Sequence, residues 1–162
     1  MMRLCEGQKR VPLFKVGVLK ICAMSTESTL SPQKLFDWVG LAGHGPFPWR
    51  EAIKEKASGI YIITASHRGE EPEIVYIGRA KQLNKRLRQF FRHIPGNRGP
   101  HKGGETIINL LETGQELQIY YALCDKHIEC ERVIINKFEE VCGILPYGNK
   151  KRGDLLSIQI EI

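Results

Sequence analysis

Residues 76–93 read YIGRAKQLNKRLRQFFRH, and they pass from an apolar strand, through Gly78, into a patterned helix. At about 100° per residue from Gln82 onward, the apolar side chains share one stripe, made by Leu83, Leu87, Phe90, Phe91 and Ile94. Most of the cations lie on the opposite face. Arg86 is the exception, because it falls at the border of the stripe with His93 beside it. We therefore expect its guanidinium to point along a buried edge, where a site arginine would lie.

The same region concentrates the positive charge of the chain. Between Arg79 and Lys102 there are eight basic residues and no Asp or Glu, while the whole chain is only +6, so the remainder is net −2. A basic patch on one helix and its following loop is typical of a phosphate-backbone binder. The alternative, a solvated helix face, is disfavoured by the missing counter-charges. The residues predicted to contact nucleic acid are Arg79, Lys81, Lys85, Arg88, Arg92, His93, Arg98, His101 and Lys102.

Length and composition are those of a globular protein with one domain. The 162 residues suffice for a sizeable core, and no apolar run approaches the length of a membrane span. The stretch 11–24 is interrupted by Lys15 and Lys20, so we expect no signal peptide. Met24 and the small polar residues after it resemble a natural protein start, which makes residues 1–23 dispensable in this interpretation.

The five cysteines form no even, closely spaced framework, which indicates a reducing compartment and a cytoplasmic protein. Cys124, His127 and Cys130 are near enough in sequence to suggest metal ligands. They match no zinc signature, since no CxxC occurs, and a free cysteine is usually a small buried hydrophobe. We favour the second interpretation.

Apolar runs and turn residues predict three strands and four helices. The strands are expected at residues 58–65, 73–77 and 117–123, the first two forming a hairpin. The helices are expected from Ser31 to Gly40, from Gln82 along the basic stretch, at 105–113 and at 126–142. Glycine and proline predict loops at 43–50, where Trp49 plugs the core or stacks on a base, and at 95–104, where the backbone approaches a phosphate chain.

The last predicted helix carries a carboxylate on its apolar face. Glu131 is spaced i+3, i+4 and i+7 from Ile134, Ile135 and Phe138. An ionised carboxylate in that position is costly unless a cation meets it. Two interpretations stay open on this fact, a salt bridge to an arginine such as Arg86 and a metal ligand.

Two strand signatures, taken together, resemble those of a known family. Gly59-Ile60-Tyr61 and Tyr76-Ile77-Gly78 resemble the defining pair of the GIY-YIG nuclease superfamily. The run from Tyr76 to Leu87 is similar to the catalytic-helix motif of the incision subunit of bacterial nucleotide excision repair, whose arginine falls ten residues after the second tyrosine, as Arg86 does. The family glutamate opens an apolar helix, like Glu131, and its asparagine follows a proline turn, like Asn149.

The resemblance implies an α/β fold in which helices flank a small, mainly antiparallel sheet of three strands. It places the nuclease domain at residues 58–152, after an N-terminal extension, 1–57, with a short helix, and before a tail, 153–162. Two departures stand out. Fourteen residues separate the two triplets, and Phe90 stands where some members have histidine, leaving His93 or His101 for that role.

For function, the resemblance implies metal-dependent hydrolysis of phosphodiester bonds in DNA. The implied catalytic residues are Tyr61, Tyr76, Arg86, Glu131 and Asn149. Glu131 would bind one Mg²⁺, with Mn²⁺ as a substitute. Tyr61 is expected to be the general base and Tyr76 its partner, and the reverse stays open. The alternatives are a module that binds nucleic acid without cleaving it and a structure-specific or RNA-directed nuclease. A homodimer is expected only if both strands are cut.

Overall fold

The computed structural model describes residues 30–93 and 103–149. In chain order the elements are α1 (Pro32–Trp38), β1 (Gly43–Pro48), β2 (Gly59–Ser66), β3 (Glu73–Ala80), α2 (Leu83–Phe91), α3 (Gly104–Glu112), β4 (Glu116–Leu123) and α4 (His127–Cys142). The strands form one antiparallel sheet in the order β1-β4-β2-β3. The predicted α/β fold with an antiparallel sheet and flanking helices is confirmed, but the predicted number of strands is wrong, because the sheet has four.

The additional strand is β1, which we predicted to be a loop. It pairs with β4, with an irregular register between His44 and Phe47. Its glycines and prolines hide it from sequence patterns, yet proline is tolerated on an edge strand, where its missing N–H breaks no sheet pairing. Trp49 follows the strand and packs edge-on against Phe91, with ring centroids 5.0 Å apart. It therefore plugs the side of the core, as the first of its two interpretations proposed.

The central strand β2 explains why an unbroken apolar run marks this fold. Its side chains alternate between two cores, with Tyr61 and Ile63 on one face and Ile60 and Ile62 on the other. The first face packs against α2 and α3, and the second packs against α1 and α4. Residues from both covered faces are buried, which gives the strand its continuous hydrophobic sequence.

The helices begin and end much as the sequence predicted. Ser31 caps α1, its Oγ accepting a hydrogen bond from the Lys34 amide at 3.3 Å, and Gly143 ends α4 with φ +75°. Among the described helices none has both the length and the apolar character that a membrane crossing requires. The predicted glycine loop lies mostly outside the described residues, as do Arg98, His101 and Lys102. The limits 1–57, 58–152 and 153–162 stay predictions, although α1 and β1 of the first segment pack into the same fold.

Candidate active site

Two tyrosines lie side by side on neighbouring strands. Tyr61 of β2 and Tyr76 of β3 are stacked, with ring centroids 5.9 Å apart and an interplanar angle of 21°. Burial raises the pKa of Tyr61 well above its usual value near 10, and burial also raises the pKa of Tyr76. Phe90 of α2 meets both rings edge-on. The two phenol groups are thus largely removed from solvent, in the core between the sheet and helices α2 and α3.

The hydroxyls of the two tyrosines share a hydrogen bond that makes them unequal. The bond raises the pKa of Tyr61 and lowers that of Tyr76. Tyr61 is also the more deeply buried ring, with 1% of its surface exposed, whereas Tyr76 is only partly buried. A phenolate therefore forms more easily on Tyr76.

Three glycines make room for this pair. A Cβ on Gly78 would lie 2.5 Å from the Tyr61 hydroxyl oxygen. Cβ atoms on Gly103 and Gly148 would lie 2.7 and 2.8 Å from ring carbons of Tyr76. The glycine of the second triplet is needed because no side chain fits between the strand and the tyrosine ring.

Arg86 reaches the same site from α2. It is half-buried, as its border position predicted, and its Nη1 donates to Gln89 Oε1 at 3.2 Å. Its positive charge lowers the pKa of both Tyr61 and Tyr76. The charge of Arg86 therefore favours the ionised form of either tyrosine.

Glu131 forms an ion pair, but its partner is not the one that we named. Arg79 Nη1 lies 3.0 Å from Glu131 Oε2, and the side chains are 29% and 14% exposed, respectively. The salt-bridge interpretation is thus realised with Arg79 instead of Arg86, because Arg79 on β3 faces α4. The charge of Glu131 also raises the pKa of both tyrosines, so the carboxylate belongs to the same site.

Asn149 holds the outer edge of β3. Its Nδ2 donates to the Ile77 carbonyl at 2.7 Å, and its Oδ1 accepts from the Ile77 amide at 2.9 Å. The Gly148 amide donates to the Val75 carbonyl at 2.6 Å. The asparagine thus replaces a neighbouring strand at the residue between Tyr76 and Gly78.

The cations predicted to bind nucleic acid divide into three groups. Lys81, Lys85, Arg88 and Arg92 are exposed on and beside α2. Arg79 is engaged with Glu131, and the three beyond residue 93 lie outside the described residues.

His93 does not fit the prediction that it contacts DNA. Its side chain is only 1% exposed, and its Nε2 lies 3.2 Å from Glu105 Oε2. A Cβ on Gly104 would overlap the ring, so α3 packs closely on the imidazole. We correct that assignment to a buried contact between α2 and α3. Glu105 was not identified from the sequence, and its place in the first turn of α3 was the only signal.

The described residues contain no group of three or more His, Cys, Asp or Glu side chains placed to bind a metal. Cys124 and Cys130 do meet, with sulfurs 2.7 Å apart, while His127 Nδ1 lies 3.1 Å from the Asp125 carbonyl oxygen. Cys124, His127 and Cys130 therefore do not form such a group in the described part of the chain. Glu131 is the carboxylate among the predicted site residues that could hold a metal.

Comparison with known proteins gives one match. Residues 57–141 match the family model of the GIY-YIG catalytic domain, a span of just over half the chain that includes Tyr61, Tyr76, Arg86 and Glu131. No curated protein and no solved structure matches the chain. The superfamily resemblance is confirmed, whereas the likeness to the excision-repair incision subunit stays a prediction.

Proposed function

The chain belongs to the GIY-YIG family of nucleases, and we propose that it is a metal-dependent endonuclease that hydrolyses phosphodiester bonds in DNA. One observation carries the proposal. A buried tyrosine and a partly buried one, joined by a hydrogen bond, lie within the electrostatic influence of one arginine, Arg86, and one carboxylate, Glu131. A packing role explains a buried tyrosine, but it does not explain why two hydroxyls and both charges converge.

For the general base we favour Tyr76 over Tyr61, the alternative that our first expectation left open. Tyr76 is the less buried ring, and burial disfavours the phenolate more strongly at Tyr61. A base must release its proton and then take one from water, so the phenol whose anion is better stabilised suits the role. Tyr61 then orients Tyr76 and stabilises its phenolate.

Arg86 would bind the scissile phosphate. Its planar guanidinium suits two phosphate oxygens, and its partial burial strengthens the charge interaction. Because the same charge favours the tyrosine phenolates, Arg86 would serve both the base and the transition state.

Glu131 fits a divalent cation because it already binds a positive group. The Arg79 guanidinium stands where a hard cation would be held, against a carboxylate that is only 14% exposed. Mg²⁺, or Mn²⁺ in its place, would stabilise the charge developing on the phosphate and the leaving oxygen. Glu131 would supply its protein ligand.

The exposed cations of α2 would guide the DNA backbone to this site. Lys85, Arg88 and Arg92 lie on the exposed side of the helix whose border carries Arg86, and Lys81 lies just before it. Contacts of this kind bind any sequence and weaken as salt rises.

The test is cleavage of supercoiled plasmid in Mg²⁺ or Mn²⁺ by the native chain, by Glu131→Gln and by Arg86→Gln. We expect nicked or linear products from the native chain and none from either variant. Arg68→Gln, an exposed site in the loop between β2 and β3, is the control for a changed charge, and it should cut normally. DNA binding without cleavage of any duplex, branched or RNA substrate would instead favour the binding module, and cleavage of RNA alone would favour the RNA-directed alternative. Linear product formed without nicked intermediate would support a homodimer.

A further inference from the structure

Arg79 occupies the carboxylate to which the metal is proposed to bind. Its Nη1 lies 3.0 Å from Oε2 of Glu131, and both side chains are mostly removed from solvent. A guanidinium and a metal ion compete for the same carboxylate charge, so each weakens the binding of the other. The structure therefore describes a site whose metal ligand is held by a cation of the protein itself.

Arg79 is placed to exchange one anion for another. It directly follows Gly78 on β3, and Lys81 and the exposed cations of α2 follow it in the chain. A phosphate backbone drawn to those cations arrives next to a guanidinium that binds phosphate as well as carboxylate. The 29% exposure of Arg79 leaves part of its side chain open to that phosphate.

We propose that Arg79 is an electrostatic latch that holds Glu131 until DNA is present, so that DNA binding and metal binding at this site promote each other. When the DNA phosphate takes Arg79, Glu131 loses its cation and binds the metal. The inference rests on the proposed function, since it assumes that Glu131 is the metal ligand. Its consequence is that the free protein binds metal weakly and the DNA complex binds it well.

The first part of the proposal, that Arg79 weakens metal binding in the free protein, is tested by Mn²⁺ binding. The electron paramagnetic resonance signal of free Mn²⁺ measures how much of the metal stays unbound. Arg79→Gln removes the competing cation, so we expect it to bind Mn²⁺ about tenfold more tightly than the native chain. Arg79→Lys keeps the charge and should stay near the native affinity. Arg68→Gln makes the same charge change in the distant loop, and it should not alter Mn²⁺ affinity.

The second part, that DNA binding and metal binding promote each other, is tested by the fluorescence anisotropy of a labelled DNA duplex. The protein carries Tyr76→Phe, which keeps Glu131 and Arg79 but removes the proposed base. Because linkage is reciprocal, Mn²⁺ should tighten DNA binding about tenfold when Arg79 is present. In Arg79→Gln the DNA should bind more weakly, and Mn²⁺ should have little further effect.

Glu131→Gln separates the two levels of the proposal. If it abolishes Mn²⁺ binding while Arg79→Gln binds Mn²⁺ no better than the native chain, the latch is wrong and the metal site stands. If native protein and Glu131→Gln bind Mn²⁺ equally, the metal assignment fails and the latch fails with it. Thermal unfolding of each variant shows whether a loss of binding comes from a loss of fold.

Discussion

The side-chain amide of Asn149 pairs with both backbone groups of Ile77, at 2.7 and 2.9 Å, although 72 residues separate them in the chain. Ile77 lies between Tyr76 and Gly78 on an edge strand, so this contact fixes the strand where the tyrosine pair is built. We therefore expect Asn149 to influence cleavage through the position of Tyr76.

Replacing Asn149 with alanine should reduce cleavage more than stability. The change removes both hydrogen bonds and leaves the Ile77 amide and carbonyl without these partners, at a cost of about 1–3 kcal/mol. We expect DNA binding to be nearly unchanged and the rate of the chemical step to fall. Single-turnover nicking rates and urea unfolding measure the two effects.

The Asn149→Asp variant tests the hydrogen bond that the Asn149 side chain donates to the Ile77 carbonyl. A carboxylate keeps the acceptor for the Ile77 amide but faces the Ile77 carbonyl without a proton to donate, so it should be as damaging as alanine. Activity close to the native level in Asn149→Asp would show that the hydrogen bond donated by Asn149 to the Ile77 carbonyl is not needed for cleavage.

Gly78→Ala should displace the tyrosine pair. A Cβ there would lie 2.5 Å from the hydroxyl oxygen of Tyr61, so the ring must move or the strand must shift. Overpacking of this kind costs about 1–3 kcal/mol, and cleavage should be lost in protein that is still folded at low temperature. Thermal unfolding and plasmid nicking measure the outcome.

The matched control is Gly69→Asn, in the loop between β2 and β3. Gly69 has φ +83° and open space around it, and asparagine tolerates a left-handed backbone. Near-native stability and nicking are expected there. Loss of nicking in both glycine variants alike would show that the effect of Gly78→Ala is not specific to the tyrosines.

Tyr61 should make the protein less stable as the pH rises above about 10. Burial raises its pKa in the folded state, whereas the unfolded chain ionises near the ordinary value of 10. Its contribution is therefore full below pH 10, and it is lost as the pH rises from there towards the folded-state pKa, because only the unfolded state releases the proton. Tyr61→Phe has no such group, so the difference in unfolding free energy between native and variant should shrink in alkali.

Urea unfolding at about pH 8 and about pH 10.5 measures that difference. Tyr147→Phe, at a side chain that is 67% exposed, is the control for the loss of a tyrosine hydroxyl. A constant difference for Tyr61→Phe would indicate that the hydroxyl is not desolvated as the structure describes.

Local pattern predicted most of the elements, because periodicity and caps act over a few residues. The α2 stripe, with Leu83, Leu87 and Phe90 buried, is an example. What the sequence could not supply was pairing across the fold. Nothing local shows that Glu131 meets Arg79 instead of Arg86, or that a glycine- and proline-rich segment becomes a strand once β4 offers it an edge.

Local sequence also could not show which residues at the ends of helices are buried by distant parts of the chain. His93 followed a basic helix and was assigned to DNA, yet α3 covers it and Glu105 meets its ring. The tyrosines were identified from their motif alone, whereas their hydrogen bond and their unequal burial required the structure.

Arg86→Lys should lose most of the cleavage activity although it keeps the charge. Lysine has no planar guanidinium that can bind two phosphate oxygens at once. Its single ammonium group therefore stabilises the negative charge of the transition state less well. Removing one such preorganised donor commonly lowers the rate by about 10²–10³-fold, and we expect a loss in that range. Single-turnover cleavage at saturating protein measures it, because saturation removes any contribution from weaker DNA binding.

Lys85→Gln is the comparison for that measurement, since Lys85 is exposed on the helix next to Arg86. Its loss should weaken DNA binding and reduce the salt dependence of binding, while the rate at saturation stays close to native. If Arg86→Lys instead showed weaker binding with an unchanged rate at saturation, Arg86 would be one more backbone contact. Its half-buried position, and its effect on the pKa of both tyrosines, lead us to expect the opposite.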